Sequence, residues 1–150
     1  MQKKNNIKIV PLTKELVPQV AAIEALCFSE PWSESAYMEA CEKEDYLYIA
    51  AMNEAGRAVG MCGLIIGPFE AEVMNVAVHP DYRGQGIARC LMQVLLEAGE
   101  ARGVKEFTLE VRAGNAAAIH VYESCGFAGE GIRPRFYSKP VEDALIMWRR

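Results

Sequence analysis

The sequence has few histidines, and its cysteines do not occur at the spacing that metal sites use. It contains no Cys-x-x-Cys pair, and neither His79 nor His120 has a second ligand at metal spacing. We therefore predict that the protein has no metal site. The number of cysteines is odd, so we interpret them as thiols of a reducing compartment rather than as a disulfide framework. They are Cys27, Cys41, Cys62, Cys90 and Cys125.

Long apolar runs and an excess of positive charge are also missing. The longest apolar stretches, such as residues 61–66, have strand length and fall far short of the roughly 20 residues that a membrane helix needs. Residues 1–6 are polar and lead into no apolar stretch, so we expect no signal peptide and a cytoplasmic protein. Sixteen Lys and Arg face twenty Asp and Glu, and this net charge of -4 argues against direct nucleic-acid binding.

The 150 residues have the composition of a globular domain, with 51% hydrophobic and 24% charged residues. A chain of this length buries roughly 70% of the surface that its unfolded form exposes, so its core needs no disulfide or metal. The sequence contains no linker, repeat or low-complexity tract. We therefore expect a single domain over residues 1–150. We also expect the protein to be a monomer or a weak dimer.

Hydrophobic periodicity predicts the element order βααβββαβαββ. Strands are predicted at residues 7–10, 46–52, 58–66, 70–78, 107–111, from 127 onward and at 144–148. The helices are predicted to begin near Pro18, after the N-cap Ser33, at Ile87 and after the N-cap Asn115. The second to fourth strands follow one another closely, so we expect an antiparallel meander in a mixed α/β domain.

A predicted strand passes through a glycine loop into a helix at residues 75–88, and the loop reads Arg-Gly-Gln-Gly-Ile-Ala from Arg83 to Ala88. The amides of such a loop point outward at the positive end of the helix dipole, so we predict that it binds a phosphate. A Walker loop is excluded because Gly-Lys-Ser/Thr is absent. A dinucleotide fingerprint is excluded because Arg89 stands where a third small residue is needed.

This loop fits the pattern Arg-x-x-Gly-x-Ala, and with the preceding Val-Ala-Val-His-Pro it resembles the acetyl-CoA signature of the GCN5-related N-acetyltransferase (GNAT) superfamily. Four further segments resemble the ribosomal-protein-alanine N-acetyltransferases of the RimI type: residues 109–119, residues 122–127, Pro31-Trp32-Ser33 and residues 142–147. The resemblance spans nearly the whole chain. It implies an α/β (α+β) fold with a mixed, mostly antiparallel central sheet of about seven strands flanked by four helices. It also implies acetyl-CoA as co-substrate and no metal.

The resemblance further implies how acetyl-CoA is held. The glycine loop would cradle the pyrophosphate, and main-chain groups of the preceding strand would pair with the pantetheine arm. An amide there would stabilise the oxyanion of the reaction. Asn115 would contact the cofactor, a role compatible with capping a helix. The predicted cofactor residues are Val76, Ala77, Val78, Arg83, Gly84, Gln85, Gly86, Ile87, Ala88, Arg89 and Asn115.

Glu110 and Tyr122 are the predicted catalytic residues. Glu110 alternates with Leu109 and Val111, so we expect its carboxylate on the opposite side of the sheet from these two side chains. The alternative to a catalytic role is an ordinary strand glutamate that is solvated or paired with Arg112. The resemblance implies that Glu110 is the general base and acts through water. Spacing alone would make Tyr122 a core aromatic, whereas the resemblance implies that it protonates the departing CoA thiolate.

Trp32, Arg133 and Tyr137 are the predicted acceptor-binding residues. Each has a structural alternative: Trp32 as an apolar residue beside a helix cap, Arg133 as a solvated charge, and Tyr137 as a loop aromatic. RimI-like sequences often carry two adjacent tyrosines in the last loop. This chain has Phe136 and Tyr137 there, so it lacks the first of those hydroxyls.

The resemblance implies direct transfer of acetyl to the α-amino group of a protein N-terminus, that of a ribosomal small-subunit protein beginning with alanine. Two other acceptors, a small-molecule amine and a protein lysine, stay open, as does a non-catalytic acyl-CoA sensor. A two-step route through a cysteine is disfavoured because no cysteine has a neighbouring histidine. Cys125 in particular is predicted at a helix C-terminal end, where the dipole opposes a thiolate.

Overall fold

Seven β-strands form one sheet within residues 6–150, the part of the chain that the computed structural model describes. They are β1 (Lys8–Pro11), β2 (Tyr46–Met52), β3 (Ala58–Ile66), β4 (Glu70–Val78), β5 (Glu106–Arg112), β6 (Ala128–Tyr137) and β7 (Glu142–Arg149). The order across the sheet is β1-β2-β3-β4-β5-β7-β6. The pair β4–β5 is parallel and the other neighbouring pairs are antiparallel. The predicted mixed, mostly antiparallel sheet is therefore confirmed.

Four α-helices flank the sheet within the same residues. They are α1 (Val17–Cys27), α2 (Glu34–Ala40), α3 (Ile87–Ala101) and α4 (Ala116–Ser124). Ser33 caps α2 by accepting the Ala36 N–H at 3.1 Å, and Asn115 caps α4 by accepting the Ala118 N–H at 3.2 Å. Both predicted caps are confirmed, because each side chain satisfies an amide that the first helical turn leaves without a partner.

The element bounds agree with the prediction except at a few ends. The three strands of the meander have the predicted bounds, whereas β7 begins at Glu142, before the predicted start. Two short 3-10 turns, Lys14–Leu16 and Pro80–Tyr82, were not predicted. They are too short to produce a hydrophobic period of their own.

The helices cover both faces of the sheet. On one face, α3 and α4 enclose a core that includes Leu91, Leu95 and Phe107. On the other face, α1 and α2 enclose a second core that includes Val20 and Tyr37. Within residues 6–150, none of the helices is both long enough and apolar enough to span a membrane.

The strands β4 and β5 separate after a short parallel ladder, which ends where Glu72 pairs with Thr108. Opposite β3, β4 carries an extra residue between Met74 and Ala77, and Asn75 takes a left-handed φ of 55° there. The bulge and the separation occur along the same stretch of β4. The sheet therefore opens between the carboxyl halves of these two strands.

Candidate active site

A cleft of about 740 Å³ lies where β4 and β5 separate. Its walls are these two strands, the end of α1 with the α1–α2 loop (residues 28–33), α4, and the end of β6 with the β6–β7 loop (residues 138–141). The charged residues of its lining are Glu24, Glu30, Glu72, Glu110, Arg112 and Lys139. Carboxylates outnumber cations in this lining, so the cleft is electrostatically suited to a cationic group.

Glu110 projects into the cleft from β5. Its neighbours Leu109 and Val111 are buried in the core beneath α3, so the predicted alternation is confirmed. The side chain is 17% exposed, and its Oε2 lies 2.9 Å from Nε of Arg133 on β6. The alternative pairing with Arg112 is not observed, because Arg112 pairs with Glu142. Glu110 is therefore a carboxylate that is solvent-accessible within the cleft.

Tyr122 reaches the same cleft from α4. Its ring packs edge-on against Phe127, with centroids 6.2 Å apart. Its hydroxyl has no hydrogen-bond partner within residues 6–150. Every side-chain oxygen in this range that solvent cannot reach does have a partner, so the Tyr122 hydroxyl oxygen is one that solvent reaches. The hydroxyl oxygen therefore opens onto the cleft. Burial of the side chain raises the pKa of Tyr122 above its ordinary value, so the hydroxyl stays protonated at neutral pH.

The charge of Glu110 also reaches other groups that line the cleft. Burial, followed by repulsion from Glu110, raises the pKa of Glu72 on β4, and Arg133 opposes that rise. Burial, and to a smaller extent the negative charge of Glu110, raises the pKa of Tyr137 to about 12. The guanidinium of Arg112 opposes this second rise and lies 4.5 Å from the Tyr137 ring centroid.

Glu24 is a buried acidic residue on α1 that is only 2% exposed. Its Oε2 accepts the Trp32 N–H at 3.0 Å, and its Oε1 accepts the hydroxyl of Tyr37. Nδ2 of Asn75 donates to both Glu24 oxygens, at 3.2 and 3.1 Å. The hydroxyl of Tyr48 donates to Oδ1 of Asn75 at 2.7 Å. This network ties the α1–α2 loop to the bulge of β4.

Two of the three predicted acceptor residues line the cleft, Trp32 from the α1–α2 loop and Tyr137 from the end of β6. Arg133 reaches the cleft through its ion pair with Glu110. Phe28 and Phe136 also line the cleft and are 38% and 44% exposed. They give the opening an apolar rim beside its charged interior.

The predicted phosphate loop, residues 83–89, opens α3. Gly84 and Gly86 have φ angles of 78° and 81°, which glycine adopts without strain. A Cβ at either glycine would meet no atom within 4 Å, so the space in front of this backbone is open. Main-chain N–H groups at the start of a helix are a favourable site for a phosphate.

Arg83 folds back onto the end of β4. Its Nε donates to the carbonyl oxygen of Val78 at 3.2 Å, and its Nη2 lies 3.2 Å from Sγ of Cys27. Among the predicted cofactor residues of β4, Val76 lines the cleft, while Ala77 and Val78 pair with β3. The structure thus brings Val76 and Asn115 into the cleft with Glu110 and Tyr122, and leaves the phosphate loop outside its lining.

The sequence matches the model of the acetyltransferase (GNAT) family over residues 17–127. The chain belongs to the GNAT family. It is 38% identical over 133 residues to the ribosomal protein bS18-alanine N-acetyltransferase of Escherichia coli (strain K12), covering 87% of this chain and 88% of that relative.

Solved GNAT structures have the same fold. The ribosomal-protein-S18-alanine N-acetyltransferase from Escherichia coli superposes with a TM-score of 0.87 at 36% identity, over 96% of this chain and 93% of that one. The structure of yncA from Salmonella typhimurium, solved with its cofactor acetyl-CoA, gives a TM-score of 0.83 at 21% identity, over 97% and 94% of the two chains. The implied GNAT fold is therefore confirmed.

This GNAT protein is an acetyl-CoA-dependent N-acetyltransferase. The residues present fit the co-substrate, because the opening between β4 and β5 joins Val76 to Tyr122 in one cleft, and the backbone at Gly84 and Gly86 is open. Within residues 6–150, no group of three or more His, Cys, Asp or Glu side chains is placed to hold a metal ion.

Glu24, Cys27 and Glu72 are among the cleft residues that were not assigned to the site from the sequence. Glu24 follows Val20 by one helical turn and is buried on the same side of α1. A glutamate at this apolar position of the helix could have indicated a buried functional residue. Cys27 is the cysteine that lines the cleft, whereas Cys125 lies outside its lining. Glu72 lies between two buried residues of β4, as solvated strand residues commonly do, so its sequence position does not indicate that it lines a cleft.

Proposed function

We propose that this GNAT enzyme acetylates the α-amino group of a protein N-terminus, and that the acceptor is the N-terminal alanine of a ribosomal small-subunit protein. One observation carries the proposal: Glu110 from β5 and Tyr122 from α4 line the same cleft. The names of the Escherichia coli relatives, which specify alanine of ribosomal protein bS18, support the choice of acceptor. We further propose that residues 1–150 act as one catalytic domain.

In this proposal, acetyl-CoA lies along the separated end of β4. Main-chain groups of Val76, Ala77 and Val78 pair with the pantetheine arm, and the loop from Arg83 to Arg89 binds the pyrophosphate. Asn115 uses Oδ1 to cap α4, which leaves its Nδ2 to donate to the cofactor. An amide of the β4 bulge donates to the acetyl oxygen, an interaction whose loss typically costs about 3 kcal/mol.

Two side chains move the protons of the reaction in this proposal. Glu110 accepts a proton from the acceptor ammonium group through a water molecule, and the neutral amine nitrogen then bonds to the acetyl carbon. The bond between that carbon and the CoA sulfur breaks as the hydroxyl of Tyr122 gives its proton to the sulfur, and the former amine nitrogen releases its second proton to solvent in the cleft. Solvent in the cleft then removes the proton from Glu110 and restores that of Tyr122.

The cost of deprotonating the acceptor favours an α-amine. At pH 7.4, an α-amino group with a pKa near 7.8 costs roughly 0.5 kcal/mol to deprotonate, whereas a lysine with a pKa near 10.4 costs roughly 4 kcal/mol. A single carboxylate acting through water suits the smaller cost better. The acidic lining of the cleft also favours a positively charged chain end as the group that enters.

The proposal is tested by comparing acceptors that differ in one group. The protein is incubated with acetyl-CoA and an Ala-initiated basic peptide, the same peptide with a blocked N-terminus and an internal lysine, or a small polyamine. Thiol release and product mass are recorded. We expect release with the Ala-initiated peptide and a mass increase on its terminal residue. Release only with the polyamine or the lysine peptide, or with none of the three, would contradict the proposal.

Direct transfer is tested with the same protein. Incubation with acetyl-CoA alone should leave the protein mass unchanged, because the proposed route forms no acetyl-enzyme. Cys27 lines the cleft and is the cysteine to remove. A Cys27→Ala variant should keep its turnover within about two-fold of the unaltered protein. An acetylated Cys27 that disappears when peptide is added would contradict direct transfer.

A further inference from the structure

Arg112 lines the cleft from β5, two residues beyond Glu110, and its side chain is 26% exposed. Neither the proposed chemistry nor the cofactor site uses it. Its guanidinium donates hydrogen bonds to groups on two sides, the β6–β7 loop with the start of β7, and the α1–α2 loop.

Several of these contacts reach the end of β6 and the β6–β7 loop. Nη2 of Arg112 donates to the carbonyl oxygen of Ser138 at 3.0 Å, and Nη1 donates to that of Pro140 at 3.0 Å. Nη1 also lies 3.2 Å from Oε1 of Glu142, and the guanidinium lies over the ring of Tyr137. Arg112 thereby fixes both the backbone and an aromatic side chain of this wall.

Further contacts reach the α1–α2 loop on the other side. Nη2 of Arg112 donates to Oγ of Ser29 at 3.4 Å, and that hydroxyl donates to the carbonyl oxygen of Ser138 at 3.4 Å. Oγ of Ser138 donates to Oε1 of Glu30 at 3.0 Å. The two loops are therefore joined to each other, and Arg112 bonds to both at the junction.

We propose that Arg112 is a positioning residue for the acceptor, which holds the α1–α2 loop and the β6–β7 loop at the spacing that the acceptor peptide requires. This inference rests on the proposed function, because it takes these loops as the acceptor-binding walls. The planar guanidinium offers five donors in a fixed geometry and can bond to both loops while it stacks on Tyr137. A lysine at this position would present a single ammonium group and could not reproduce the arrangement.

The test separates the two substrates. Arg112→Gln should raise KM for the Ala-initiated peptide about ten-fold and leave KM for acetyl-CoA within about two-fold, because the lost contacts lie on the acceptor side. Arg112→Lys should give an intermediate peptide KM. The matched control is Arg135→Gln, which removes the same charge from β6, where the Arg135 side chain has no hydrogen bond, ion pair or ring contact within residues 6–150.

A second variant keeps the test decisive if Arg112→Gln fails to fold. Ser29→Ala removes an exposed hydroxyl from the junction, and it should raise the peptide KM about two- to three-fold with no change in the thermal unfolding midpoint. An unchanged peptide KM in Arg112→Gln, or in Ser29→Ala if Arg112→Gln does not fold, would overturn the proposal. So would an equal rise of KM for both substrates in Arg112→Gln.

Hydrogen exchange provides a readout that needs no acceptor. Arg112→Gln should speed amide exchange in residues 28–33 and in residues 138–141 together, and leave β2 and β3 unchanged. Faster exchange in only one loop, or in neither, would overturn the positioning role. An unaltered protein that does not acetylate the Ala-initiated peptide would contradict the proposed function instead, and exchange would then decide the role of Arg112 by itself.

Discussion

At the scale of single residues, the carboxylate of Glu110 is expected to determine how the acetylation rate depends on pH. As the proposed base, it is needed most when the acceptor amine is protonated, below the α-amino pKa of about 7.8. Glu110→Gln should therefore lower kcat/KM for the peptide about 10²-fold near pH 6.5, with the deficit shrinking above pH 8 as the amine loses its proton unaided. The measurement is kcat/KM from pH 6 to 9.5.

A matched control for Glu110→Gln lies on the same strand. Glu106→Gln removes a carboxylate from β5 that pairs with Arg150 at 3.5 Å and lies outside the cleft lining. It should leave the pH profile unchanged. If Glu110→Gln lowered activity by the same factor at every pH, Glu110 would not be the base.

The hydroxyl of Tyr122 has a different expected signature. Tyr122→Phe should lower kcat about 10²-fold and leave acetyl-CoA affinity unchanged, because a ring of the same shape remains packed on Phe127. Burial raises the pKa of Tyr122, so the acid stays protonated and should cause no fall of kcat as the pH rises to about 9.5. Steady-state kinetics and calorimetric titration with acetyl-CoA measure the two effects.

The control for Tyr122→Phe is Tyr46→Phe on β2, which removes a hydroxyl outside the cleft lining. Its kcat should equal that of the unaltered protein. Unchanged turnover in Tyr122→Phe would return Tyr122 to the role of a core aromatic, the alternative that helical spacing alone favours.

At the scale of elements, Glu24 joins α1, the α1–α2 loop and β4. Glu24→Gln keeps the shape of the side chain but turns one acceptor oxygen into a donor that faces other donors, so a buried polar group loses its partner. We expect a loss of about 1–3 kcal/mol in the free energy of unfolding, measured with urea. Glu15→Gln, at an exposed position, should change it by less than about 0.5 kcal/mol. Equal stability of the two variants would contradict this role of Glu24.

The elements that the sequence predicted are those fixed by local patterns. The side of the sheet on which Glu110 lies follows from alternation along β5, and the starts of α2 and α4 follow from the caps Ser33 and Asn115. In each case the deciding interactions lie within a few residues of one another. Periodicity and capping report such interactions directly.

The parts of the cleft that were missed depend on contacts between distant residues. Glu24 and Asn75 are 51 positions apart, and Arg112 and Ser29 are 83 apart. The extra residue near Asn75 shifts the alternation of β4, so that Val73 and Val78 lie in one core and Ala77 in the other. Residues 76–78 are all apolar, so the sequence does not show this shift. A single sequence contains the residues of these contacts but not the fold that brings them together.

At the scale of the whole molecule, the net charge of -4 and the acidic cleft lining favour a basic acceptor. Salt shortens the reach of this attraction, since the Debye length falls from about 10 Å at 0.1 M to about 3 Å at 1 M. From about 0.05 M to about 0.5 M NaCl, kcat/KM for an Ala-initiated peptide rich in arginine should fall about five-fold through KM. The same peptide with glutamine for arginine should change by less than about two-fold. Thiol release at low peptide concentration measures both, and an equal salt effect on the two peptides would exclude charge attraction as the cause.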